Sequence, residues 1–246
     1  MKRIMTALLA LALGAAFAAC SPQASGPTTS SSPRTKLTVF AAASLNQVLP
    51  QIADETYSFD GSAALVDQLK GGAPADVFAS ADKANMDKAV AAGVIDGTPT
   101  QFASNVLVLV TPPGNPASVT GLDASLTGKK LVICAPEVPC GNATAKLATN
   151  LGVTLAPVSL ESKVTDVLGK VTSGEADAGV VYATDAKRAG DKVTTIQLPG
   201  ADKVPNTYWA AVVKGSANAD AARAYVAKLS GDGRQVLTDA GFGPPL

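Results

Sequence analysis

The chain has 246 residues, 47% of them hydrophobic and 16% charged, which is ordinary globular usage and excludes disordered and collagen-like classes. Twenty basic and twenty acidic side chains balance, and losing Lys2 and Arg3 with an acid-free leader leaves a net charge of −2, so there is no electrostatic footprint for nucleic acid. Histidine is absent, which removes Ser-His-Asp and Cys-His catalysis and every histidine zinc site, and the three cysteines, Cys20, Cys134 and Cys140, are too few for a four-cysteine zinc or iron-sulfur centre.

Residues 1–19 run from Met1-Lys2-Arg3 through an apolar stretch, Ile4 to Phe17, to Ala18-Ala19 ahead of Cys20. These are the charged, apolar and small-residue zones of a secretory signal peptide, and the run is too short for a permanent span, which needs about 20 apolar residues. Phe17-Ala18-Ala19-Cys20 resembles a bacterial lipobox, in which the cysteine is lipidated and becomes the mature N-terminus. Ordinary cleavage after Ala19 is the alternative. Residues 20–35, rich in Ser, Thr, Pro and Gly, cannot bury enough surface to offset ordering and read as a lipid-anchored flexible tether.

From Leu37 onward short β-branched runs alternate with helix-like stretches. The pattern predicts strand 37–41, helices 45–55 and 63–71, strand 76–79, helix 82–92, strands 105–111 and 131–134, helices 141–151 and 163–173, strands 178–182 and 207–213, and helices 218–229 and 233–240. Ser44 stands at a helix start, and Gly71-Gly72, Gly93 and Gly152 stand at helix ends. Such alternation predicts an α/β fold with mostly parallel sheets, whose ligands bind at the carboxyl ends of the strands. The break at Thr111-Pro112-Pro113-Gly114-Asn115-Pro116 and the returning strand 207–213 divide the chain into one lobe of 36–110 plus 211–246 and a second of 111–210.

The segments Leu37-Thr38-Val39-Phe40-Ala41-Ala42-Ala43-Ser44-Leu45 and Gly72-Ala73-Pro74-Ala75-Asp76-Val77-Phe78-Ala79-Ser80-Ala81-Asp82 closely resemble the molybdate-binding proteins of bacterial ABC importers. Val138-Pro139-Cys140-Gly141, Gly179-Val180-Val181-Tyr182-Ala183-Thr184-Asp185 and Gly241-Phe242 extend the resemblance, in order, over 37–243. It implies a two-lobed periplasmic-binding-protein fold of type II that closes on a tetrahedral oxyanion, molybdate and also tungstate, without a cofactor. It further implies an exported, lipid-tethered monomer that serves a membrane ABC permease and is not an enzyme.

Carried over by motif, the resemblance places ligand hydroxyls on Ser44, Ser62 and Tyr182 and ligand backbone amides on Ser44, Ser62, Cys140 and Val164. Each of these except Tyr182 falls at the start of a predicted helix, where unpaired amides and the helix dipole favour an anion. Tyr182 ends a strand. No Lys or Arg adjoins Ser44, Ser62 or Tyr182, so the expected anion is held by dipoles. Serine at a helix start is most often a plain N-cap, and the residues alone leave both roles open.

Cys140 departs from the small residue common there in the family, and Cys134 lies six positions before it; for an exported chain a disulfide is the expectation, with two buried thiols as the alternative. Tyr208 and Trp209 sit on an apolar run and read as packing, and Asp76 and Asp82 as structural. Two rivals stand beside this reading. One is a binding protein for sulfate or another tetrahedral oxyanion, and the other is a cell-surface hydrolase using the Ser-x-x-Lys of Ser80 and Lys83.

Overall fold

The computed structural model describes residues 36–246; the leader 1–19, the tether 20–35 and the lipidation expected at Cys20 lie outside the described residues. Strand β1 (Thr38–Ala42) is apolar and buried along nearly its whole length, as a central strand covered on both faces must be. It lies second in a five-stranded sheet of order β2 (Thr56–Asp60), β1, β3 (Val77–Ser80), β10 (Asn206–Val213) and β4 (Ile95–Asn105). A second sheet has the order β7 (Ser159–Glu161), β6 (Leu131–Cys134), β8 (Ala178–Tyr182), β5 (Leu107–Thr111) and β9 (Thr194–Gln197).

Helices α2 (Ser62–Lys70), α3 (Lys83–Ala91) and α7 (Ala219–Ser230) cover the first sheet, and α4 (Pro139–Leu151), α5 (Val164–Thr172) and α6 (Ala183–Ala189) cover the second. The short α1 (Leu49–Ile52) and α8 (Arg234–Ala240) close the first core through Leu49, Ile52 and Leu237. The expected helix over 45–55 is reduced to a 3-10 turn at Ala43–Leu45 and α1, because Pro50 has no amide to donate and is tolerated only in a first turn. At the far end of α4, Gly152 takes φ 67°, the left-handed stop that glycine adopts without steric cost.

The sheets are mixed, mostly parallel in strand direction as expected but with one reversed strand each. In each, four strands point the same way, β2, β1, β3 and β4 in the first and β7, β6, β8 and β9 in the second, and one, β10 or β5, runs against both of its neighbours. The reason is topological: the parallel strands end toward the other lobe, so β5 and β10, which enter their sheets from that other lobe, must run against them. The crossings also fall earlier than the expected boundaries at 110/111 and 210/211. All of β5 pairs in the second sheet, leaving Val106 as the link from β4, and all of β10 from Asn206 pairs in the first.

Candidate functional site

Five parallel strands each deliver one candidate residue at the carboxyl end. β1 runs into the 3-10 turn that holds Ser44, and β2 ends at Asp60, after which Gly61 caps α2, whose first residue is Ser62. In the other lobe β6 leads to α4, with Cys140 its second residue; β7 leads to α5, which starts at Val164; and β8 ends on Tyr182. Tyr182, expected only at a strand end, is also the N-cap of α6.

All five line one narrow cleft between the sheets, with Ala42, Ala43, Asp60, Gly61, Ala81, Val138, Pro139 and Lys163 completing the wall. First-turn amides have no acceptor within their own helix, so Ser62, Cys140 and Val164 present N–H groups and the positive ends of α2, α4 and α5 to this space.

The hydroxyls are arranged as donors. Ser62 Oγ accepts from the Ala81 amide at 3.1 Å, which leaves its proton for a further acceptor. Ser44 Oγ lies 3.0 Å from Tyr208 Oη, and the Asn105 amide nitrogen faces that same phenol oxygen at 3.5 Å. Asn105 Nδ2 only donates, so it occupies one acceptor position of the phenol oxygen; either hydroxyl can donate in the Ser44–Tyr208 pair, and with Tyr208 as donor the Ser44 proton is left for the cleft. Tyr182 is 1% exposed, and its hydroxyl has no hydrogen-bond partner among the described residues. Burial first, then Tyr208, Asp82 and Asp185 nearby, hold that phenol well above its ordinary value of 10.0, so it stays protonated.

Beneath Tyr182, burial pushes the Asp185 carboxyl up to about 7 against the opposing pull of Arg188, and its Oδ2 accepts from the Tyr182 amide at 3.3 Å. The cleft is not free of cations, as adjacency in sequence suggested. Lys163 lines it and lies 3.5 Å from Asp60 of the opposite lobe, so the two formal charges in the wall cancel.

Cys134 and Cys140 are joined by a disulfide with Cα atoms 5.7 Å apart, which ties the end of β6 to the first turn of α4. In a Cys134→Ala/Cys140→Ala variant we expect a loss of about 2 kcal/mol from loop entropy, a drop in melting temperature of roughly 4–8 °C by thermal denaturation without reductant. An unchanged melting point would show that the bridge constrains nothing.

Tyr208 is fully buried, as a packing residue should be, but it also orients Ser44, which the sequence reading did not assign. The available signal was chemical: a tyrosine inside an otherwise apolar strand must find a partner for its hydroxyl. Trp209 stays structural, donating from Nε1 to Thr207 at 2.8 Å under the Lys83 ammonium. Asp76 ties Thr38, Ser216 and Asn218 together, and Asp82 caps α3 by accepting from the Asn85 amide at 2.9 Å. Among the described residues no cluster of His, Cys, Asp and Glu is placed to hold a metal ion.

Comparison with known proteins agrees with this architecture. The family model of bacterial extracellular solute-binding proteins matches residues 37–243. The molybdate-binding protein ModA of Mycobacterium tuberculosis (strain ATCC 25618 / H37Rv) is 41% identical across 98% of both chains. Its namesake from Escherichia coli (strain K12) is 35% identical across 75% of this chain and 79% of that one. A periplasmic molybdate-binding protein of Azotobacter vinelandii superposes with a TM-score of 0.76 at 24% identity, covering 86% of this chain and all of the other, a likeness of fold. By its two-lobed α/β architecture and a match over nearly the whole described chain, the protein belongs to the bacterial extracellular solute-binding protein family.

Proposed function

We propose that this protein captures molybdate, and tungstate with it, outside the cytoplasmic membrane and delivers it to an ABC permease. Relatives named for molybdate binding, matched over 98% and 79% of their length, support the ligand class. The observation that carries the reading is the Tyr182 hydroxyl: buried, protonated and unpartnered among the described residues, in a cleft lined by three helix N-termini with no net side-chain charge. A buried donor left without an acceptor costs free energy, and a fully ionised oxyanion, rich in acceptors, removes that cost.

On this reading Ser44, Ser62 and Tyr182 donate hydroxyl protons and Ser44, Ser62, Cys140 and Val164 donate amides, from two lobes that meet on the anion. The protein has no cofactor and is not an enzyme; molybdenum enters only as cargo. It is exported and acts as a monomer, held to the outer face of the membrane by lipid on Cys20. The hydrolase alternative has no support in the geometry. The Ser80 hydroxyl is fully buried and donates to the Asp82 carbonyl at 2.8 Å, while the Lys83 ammonium is 2.7 Å from Asp87.

Calorimetric titration with molybdate, tungstate, sulfate and phosphate tests the reading. We expect molybdate and tungstate to bind far more tightly than phosphate, whose proton needs an acceptor that the hydroxyl and amide donors do not supply; phosphate bound as tightly as molybdate would show that Asp60, tied to Gly61 and Lys163 through Oδ1, takes that proton. Affinity should change little between low and high salt, because neutral donors rather than a free cation hold the anion. A steep salt dependence would move the site onto Lys163, and tighter sulfate binding would replace the ligand assigned here.

A further inference from the structure

We propose that Gly61 sets how far the two lobes close, and so governs affinity, although its own atoms offer the ligand nothing that another residue's backbone would lack. This rests on the cleft being an oxyanion site. Gly61 is the N-cap of α2 in the first lobe, and its backbone, φ −60° and ψ 137°, is one that any residue adopts. Nothing within its own lobe therefore calls for glycine.

The demand comes from across the cleft. A Cβ on Gly61 would stand 2.2 Å from the Ser162 carbonyl oxygen, roughly 1 Å short of van der Waals contact, with the Val138 side chain 3.4 Å away. Both neighbours belong to the second lobe. Ser162 cannot yield easily, because it is held between β7, whose Glu161 carbonyl accepts from the Ala135 amide at 2.9 Å, and the start of α5 at Val164.

Bare backbone against bare backbone thus lets Ser62, the next residue along, and Val164, two residues past Ser162, line the same cleft. The adjacent Asp60–Lys163 pair and the Arg188 guanidinium, which donates to Asn46 Oδ1 at 2.7 Å, also span the lobes. Both are made by long side chains that could follow a partly open state. The Gly61 contact cannot.

The test is Gly61→Ala, with Gly169→Ala as control; Gly169 lies within α5, and a Cβ there would meet nothing. The ligand-free melting temperature of Gly61→Ala should stay within about 2 °C of the wild type, since the unfolded-state gain from alanine and the loss of a favourable cap nearly cancel. Molybdate affinity by calorimetry should fall about 100-fold, the size of effect that a 1 Å misplacement of positioned groups can have on a reaction rate. Gly169→Ala should bind as the wild type does.

A ligand-independent arm introduces Asp60→Cys with Lys163→Cys, whose native side chains meet at 3.5 Å across the cleft, and joins them with a short bismaleimide that spans the reach of the lost lysine chain. Cross-linking should be rapid with Gly61 and slow with Gly61→Ala. Wild-type protein that ignores molybdate would defeat the ligand assignment alone, and the cross-linking contrast would still decide the closure role. Equal cross-linking, or affinity within threefold of the wild type, would overturn the proposal.

Discussion

Saturating molybdate is expected to raise the melting temperature by roughly 8–16 °C. A ligand that binds only the folded state adds RT ln(1 + [L]/Kd), about 4 kcal/mol at a thousandfold excess over Kd, and a chain of this size converts each kcal/mol into about 2–4 °C. The effect should approach this size because Ser44 and Ser62 belong to one lobe and Cys140, Val164 and Tyr182 to the other, so a bound anion must be lost before either lobe can unfold freely. Scanning fluorimetry with molybdate, sulfate and chloride salts at matched ionic strength measures it. A larger shift with sulfate would hand the site to that anion.

The Tyr182→Phe variant should separate binding from stability. Its molybdate affinity is expected to fall by roughly 10- to 150-fold, the equivalent of losing one hydrogen bond to a charged acceptor. Its ligand-free melting temperature should hold or rise, because the substitution deletes a buried hydroxyl that has no partner among the described residues. Phenylalanine keeps the ring that meets Tyr208 edge to face at 6.1 Å, so packing is preserved. General damage would lower both quantities together, and calorimetry beside thermal denaturation tells the two outcomes apart. If affinity were unchanged, the phenol would not be a ligand group.

What the sequence made legible follows burial. Every interior strand, β1, β3, β5, β6, β8 and β10, announces itself as an apolar run, because both of its faces are covered. The strands that went unseen, β2, β4, β7 and β9, are the four sheet edges. Thr56–Asp60, Ser159–Glu161 and Thr194–Gln197 are short and half-exposed, and the outer part of β4 is largely solvated, so none carries an apolar signature. Misplacing β5 in the first lobe followed from the same gap: with β4 unseen, nothing marked Val106 as the link between sheets.

The candidate site was legible through the family motifs, which name Ser44, Ser62, Cys140, Val164 and Tyr182, five residues that line one cleft. It was illegible where it depends on contact between distant segments. Tyr208 meets Ser44 across 164 residues, and Gly61 meets Ser162 only once the lobes come together. Lys163 sits beside Val164 in the chain, yet its pairing with Asp60 exists only through the juxtaposition of α5 with the end of β2.

The two passages between the lobes leave the first sheet as neighbouring strands, with Asn105 paired directly to Asn206. Connections that share a hydrogen-bonded seam cannot slip independently, so the molecule keeps one soft angle, as a book has one spine. If the anion draws the lobes together as proposed, the gap between the outer rims follows occupancy. A receptor that touched both rims would weigh the cargo by the gap it feels and never meet the anion itself.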